Sequence, residues 1–415
     1  MENSKTLRNV IEGMSIYTTA YISLFLLFSL QIIPNDIILA LSIIIFFVAD
    51  LENEVYLYFF SLPWMYVGRF SFGLTISLVN TVLMVLKIVT KKRKIKFNYL
   101  ELMIFGFLVL VGVIALVIYR TLTGISICFY FFIAVYMHST YAGDEERCEE
   151  FWEKCLFIVL VSTIICIIYG FRANTGADRW IRGMGYVKQF YGTLGTSRFG
   201  LYLVLSSLYP LYYIHNRVTK TVLIALLTLA VFGTVSITSM VLLVFVLGYY
   251  VVTTGRLTAR KIGVLFTTIL AAILVVVFWN KIGNVDVFRP LYNRTNLIIM
   301  QLRTGDLDAA TSGRFTMSDA YVNRFESFNI LNKVVGGATL SVAEGGYSHN
   351  SYLDMLNYCG VLGTVLFACL QLQRIRDYSH MTVKGQAILS KLLFIITAAT
   401  VSIFSAQFWL IFFFL

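Results

Sequence analysis

Charge is what this 415-residue chain has least of: Asp, Glu, Lys and Arg make up only 13% of it, against about 25% in a soluble globular protein. Proline is nearly absent, with Pro34, Pro63, Pro210 and Pro290 alone, so long helices are seldom interrupted. The six cysteines, Cys128, Cys148, Cys155, Cys166, Cys359 and Cys369, form no C-x-x-C and no Cys/His cluster. They fall in apolar runs or beside them, which excludes a disulfide framework and a structural zinc motif. Histidine occurs four times, at His138, His215, His349 and His380. There is no internal repeat and no low-complexity tract. No cleavable signal peptide is expected, because the first apolar run is too long and lacks a small-residue cleavage site.

What remains is apolar. Hydrophobic residues are 58% of the chain and the mean hydropathy is +0.79. In hydrocarbon every backbone polar group must be satisfied internally, so apolar segments of about 20 residues read as helices. The expected fold is all-α: a polytopic integral membrane protein with about 12–14 transmembrane helices, forming one domain over residues 1–415.

The apolar runs expected to span are 15–33, 36–49, 55–67, 70–89, 100–118, 125–138, 157–169, 200–213, 221–235, 237–252, 262–279, 352–370 and 392–415. Lys91-Lys92-Arg93-Lys94-Ile95-Lys96 is the densest basic cluster, and short basic loops stay in the cytoplasm. Counting outward from it puts the N-terminus inside and the acidic segment 143–154 in a cytoplasmic loop. The basic segments 215–220, 255–261 and 373–384 then fall inside as well. Two loops face outward, a basic one at 171–198 and a large one at 280–349.

The outer loops hold the candidate chemistry. Only His349 among the histidines reaches the outside. It follows Gly345-Gly346 and stands at the start of an apolar helix, whose N-terminal dipole disfavours an imidazolium. A neutral imidazole there suits a general base, while a helix-capping histidine is the plainer alternative. The loop 171–198 carries Arg172, Arg179, Arg182, Lys188 and Arg198 against Asp178, a net +4 that runs against the positive-inside bias. Arg172 is accounted for by snorkelling at a helix end. Arg179 and Arg182, set among Trp180, Gly183, Gly185 and Tyr186, suit a diphosphate, which guanidinium grips bidentately.

Ser312-Gly313-Arg314 opens a predicted amphipathic helix with Phe315, Val322 and Phe325 on its apolar face. Ser312 is its expected N-cap, and Arg314 in the first turn calls for an anion. Asp306-Leu307-Asp308 matches a metal–nucleotide pattern but reads better as a solvated loop.

Taken in order, Arg182-Gly183-Met184-Gly185-Tyr186, Ser312-Gly313-Arg314, Gly336-Gly337 and His349-Asn350-Ser351-Tyr352-Leu353 followed by Gly360-Val361-Leu362-Gly363 resemble the O-antigen polymerase and ligase superfamily. The likeness runs over residues 155–375. Where many relatives carry His-Pro-Asn, this chain has Val187-Lys188-Gln189-Phe190-Tyr191. Which of Arg179, Arg182 and Arg198 stands at the family's arginine position therefore stays open.

The resemblance implies a GT-C-like, inverting, metal-independent glycosyltransferase without a cofactor, in the bacterial cytoplasmic membrane. Its substrate would be an oligosaccharide on undecaprenyl diphosphate. His349 would act as the base, and Arg182, Arg314, Arg179, Arg198, Asn350 and Tyr347 would hold diphosphate and sugar. The expected partners are membrane lipids, a flippase and a chain-length regulator, with no nucleic acid. The expected activity is polymerisation of lipid-linked repeat units. Ligation of finished glycan is the nearby alternative, and transport of the same lipids is the alternative from another class.

Overall fold

The computed structural model describes residues 14–64, 76–91, 95–173, 196–234, 236–253, 281, 289–306, 308, 314–338, 348 and 350–399. Among these residues the chain is all-helical. Four helices are long and apolar enough to cross a membrane: Tyr99–Tyr119, Gly124–Tyr141, Glu145–Gly170 and Ser351–Tyr378. Five apolar helices of 10–17 residues accompany them, and the chain is a membrane-associating one. The expected span 262–279 lies outside the described residues, as does most of 392–415.

The chain divides into two compact units, residues 1–80 with 152–299 and residues 81–151 with 300–415. In the first, α1 (Ile16–Ser29), α2 (Asn35–Val48) and α3 (Leu51–Ser61, continued by a 3-10 turn Leu62–Trp64) pack together. The helix α4 (Ile76–Thr90) follows. The first unit's core is aromatic. Phe25 lies 4.9 Å from Trp64 between ring centroids, and Phe28 stacks at 4.9 Å on Tyr169 of α7 (Glu145–Ala173). Trp64 Nε1 donates to Ser162 Oγ at 3.1 Å and Ser162 Oγ donates to the Phe60 carbonyl at 2.7 Å, so the indole's polar edge is satisfied inside. Nearby, α8 (Thr196–Ser206), with a short extension α9 (Leu208–Tyr212), packs against α10 (Arg217–Gly233) and α11 (Ile237–Thr253).

Two expected loops are helical instead. The helix α3 starts at Leu51, in the gap between the expected spans 36–49 and 55–67, because Asp50 caps it by accepting from Asn53 N at 2.8 Å. The acidic segment 143–154, expected as a loop, forms the first turns of α7. Asp144 accepts from Arg147 N at 3.2 Å, and Glu145 and Glu146 sit where the helix dipole favours negative charge.

The second unit is built on a hairpin of α5 (Tyr99–Tyr119) and α6 (Thr123–Tyr141). Asn98 and Glu101 form a capping box at the start of α5, each side chain accepting from the other's backbone N–H at 2.8 Å. Gly112 and Gly124 let the two helices touch backbone to backbone. After α12 (Arg289–Arg303) come α13 (Arg314–Ser327), α14 (Ile330–Val335), the long α15 (Ser351–Tyr378) and α16 (Lys384–Ala398). The helix α15 packs on α5, α13, α14 and α16. It runs to Tyr378, well into the basic segment expected as an inner loop.

Candidate functional site

The start of α15 is a tied turn. Asn350 is the N-cap, its Oδ1 accepting from Tyr352 N at 3.0 Å and Leu353 N at 3.4 Å. Ser348 Oγ accepts from Asn350 N at 2.9 Å, and its hydroxyl has two acceptors in reach, Asn350 O at 2.6 Å and Asp354 Oδ1 at 2.7 Å. Ser348, Ser351 and Asp354 are all buried. Asp354 places a carboxylate in the first turn, where the dipole stabilises it. Both chain neighbours of His349 are thus fixed onto the helix. Tyr352 OH donates to Ile395 O at 2.7 Å, which secures the same end to α16.

Two turns further along, α15 breaks. Gly360 has φ +64° and ψ −169°, a region only glycine occupies readily. The break is filled by the segment after α14. Gly337 N donates to Asn357 O at 2.8 Å and Ala338 N to Tyr358 O at 3.1 Å. Gly336, at φ +90°, lies so close that a Cβ there would overlap the Tyr358 carbonyl. Asn357 Nδ2 donates to the Tyr321 carbonyl of α13 at 3.1 Å. Gly363 leaves room for Phe107 of α5. Glycines on either side of the start of α15 are therefore parts of one joint.

Arg314 is the first residue of α13. The anion at that helix end comes from the chain itself: Asp308 Oδ1 accepts from Thr316 N at 2.9 Å. Asp308 is thus a cap reaching from six residues before the helix. The apolar face differs from the expected one, because Tyr321 is the buried side chain and Val322 is exposed. Arg198 is in α8. Arg179, Arg182, Tyr347 and His349 lie outside the described residues, as does Ser312, the expected cap.

One cluster of functional type was not singled out in the sequence. Glu101 of α5, His138 of α6 and Arg374 and Asp377 of α15 meet at one end of the second unit. Arg374, fully buried, donates from Nη2 to Glu101 Oε1 at 2.5 Å and from Nη1 to His138 Nδ1 at 2.7 Å. Arginine can only donate, so His138 Nδ1 is an acceptor and a neutral ring carries its proton on Nε2, 3.6 Å from Asp377 Oδ2. Lys391 of α16, also fully buried, bears electrostatically on both His138 and Arg374. The signal available was Glu101, a carboxylate in the first turn of an apolar span.

No metal-type grouping of His, Cys, Asp and Glu occurs among the described residues. In comparison with known protein families, curated proteins and solved structures, the chain matches none.

Proposed function

We propose that the chain is a polysaccharide polymerase of the O-antigen polymerase and ligase type, with 12–14 spans and a GT-C-like fold. In this reading it sits in the bacterial cytoplasmic membrane with its N-terminus inside. It joins oligosaccharide repeat units carried on undecaprenyl diphosphate at the outer face. His349 takes the proton from the acceptor hydroxyl as that oxygen attacks the anomeric carbon of the donor. The bond from that carbon to the diphosphate oxygen breaks, and Arg182, Arg314, Arg179 and Arg198 hold the departing diphosphate. Asn350 and Tyr347 line the sugar side. A flippase and a chain-length regulator act beside it.

One observation carries this reading. The helix that Arg314 opens, the Gly336-Gly337 turn, Asn350 and Gly360-x-x-Gly363 converge on the first four turns of α15. Residues 314–338 are thereby fastened to the helix that His349 precedes in the sequence.

The test is the state of the carrier lipid after the gene is removed. A polymerase leaves single repeat units exposed on the outer face, and a ligase leaves long polymer on the carrier. A flippase leaves units on the inner leaflet. Trapped inner units would overturn the proposal.

Transport keeps a specific observation in its favour, the buried Glu101, Arg374 and Lys391 with the part-buried His138, since transporters place ionisable groups within their spans. Glu101 lies in the first turn of α5 and His138 in the last turn of α6. Both are at helix ends, whereas a substrate site in a transporter belongs near the midplane, so polymerisation is the better supported reading.

A further inference from the structure

The helix α14 has an apolar side that none of the described residues covers. Ile330 is 84% exposed, Leu331 67% and Val334 44%, a concentration of large aliphatic surface on a helix of six residues. Its other side is docked on α15, and the glycine turn that follows is wedged into the break at Gly360.

The level of that dock can be reckoned along α15. Arg374, among the polar residues that end the apolar stretch, is fourteen residues beyond Gly360. At 1.5 Å per residue this is about 21 Å. A hydrocarbon core is about 30 Å thick, which puts Gly360 roughly 9 Å inside the opposite boundary. The preceding helix, α13, crosses one turn higher, where Asn357 meets Tyr321. Its end carries the groups of a membrane–water boundary. Phe325 and Phe328 are 6.0 Å apart between centroids, and the Arg324 guanidinium lies 5.6 Å from the Phe328 ring. Lys333 of α14 is partly exposed and can reach the headgroups from there.

We propose that residues 329–338 form a re-entrant wedge at the headgroup–acyl boundary of the leaflet in which α15 begins. Ile330, Leu331 and Val334 lie against lipid. The amides of Gly337 and Ala338, past the end of α14, are spent on the broken helix, which is how irregular backbone is tolerated at that depth. The occupant is lipid because the dock lies along a membrane-crossing helix, between a boundary-type aromatic–arginine group above and an apolar helix face below. This inference stands apart from the catalytic reading.

The test uses full-length protein in vesicles of phosphatidylcholine and phosphatidylglycerol. Spin labels go on Ile330→Cys or Leu331→Cys in a Cys369→Ser background, since Cys369 is the one exposed native thiol and the other five are buried. Thr304→Cys on the polar exposed turn after α12 serves as the aqueous reference, and Val113→Cys on the outward face of α5 as the lipid reference. Labels at 330 and 331 should collide readily with oxygen and poorly with a water-soluble nickel chelate, at a depth of about 5–10 Å. Nickel accessibility equal to that at 304 would overturn the proposal. So would labels reached by neither reagent, which would mean that a second copy or another protein covers the face. Equal melting temperatures for labelled and unlabelled protein check the fold.

Discussion

At the scale of single residues, the proposed catalytic role of His349 is separable from the capping role, which Asn350 fills. A general base contributes about 10²–10⁴-fold, so His349→Ala should nearly abolish polymer while folded protein persists. His349→Asn and His349→Gln keep a hydrogen-bonding group but no base, and gels at matched expression should show no polymer from either. Substantial polymer from one of them would remove the catalytic role from His349, since the cap of α15 is Asn350. Arg314→Lys and Arg182→Lys keep charge and lose the bidentate fork. Each should slow turnover by roughly ten- to hundred-fold, from the loss of charge-assisted bonds worth about 1.5–3 kcal/mol. Wild-type rates would make both surface charges.

The Glu101–Arg374 pair invites a different experiment. Removing one partner of a buried pair leaves an uncompensated charge, at a cost of about 3–5 kcal/mol. Arg374→Met should therefore lower the melting temperature in detergent sharply, and adding Glu101→Gln should recover much of the loss. Additive losses would mean that the pair is not coupled.

For the helices, the decisive position is Gly360. Alanine there meets both a glycine-only conformation, costing about 1–3 kcal/mol, and the Val334 carbonyl and Gly336 amide. Gly360→Ala should destabilise the protein clearly, whereas Gly106→Ala, with nothing within 4 Å, should be neutral or slightly stabilising as a helix-interior replacement. Equal melting temperatures for the two variants would show that the break is not rigidly held.

The ends of α5 and α11 were legible in the sequence, with 100–118 and 237–252 nearly matching Tyr99–Tyr119 and Ile237–Thr253. An apolar run with its own cap defines itself locally. The break was not legible, because Gly-Val-Leu-Gly within an apolar run reads as close helix packing. Its φ depends on a segment twenty residues earlier filling the gap. The face of α13 was misread for a related reason: Tyr321 is buried on a helix that packs on α15, which the spacing of Val322 and Phe325 could not reveal. The ionic cluster draws on residues 101, 138, 374, 377 and 391, and no local pattern links them.

For the molecule as a whole, the sidedness of the membrane remains the measurable frame. Gly143→Cys lies on an exposed turn with open space around it, and Thr304→Cys on the exposed turn after α12. Asn98, by contrast, is a helix cap and a poor place for a probe. With Cys369 replaced, an impermeant thiol reagent on intact cells should label position 304 and spare 143. The reverse pattern would invert the topology and move His349 to the cytoplasm.

The close approach of Gly112 to Gly124 also bears on how the chain is made. The helices α5 and α6 are joined only through Arg120, in a left-handed turn at φ +53°, and two further residues. The first has a mean hydropathy of 2.9 and presents Leu102, Met103, Leu110, Val113 and Val117 outward, while the second reaches only 1.2. A nascent chain would deliver to the insertion machinery one segment that partitions readily and, at once, one that gains little from lipid alone. The second would then be retained by leaving the translocation channel already backed against the first. A bulky residue at Gly124 would then show itself first as a failure of biogenesis, with α6 left on the wrong side of the bilayer.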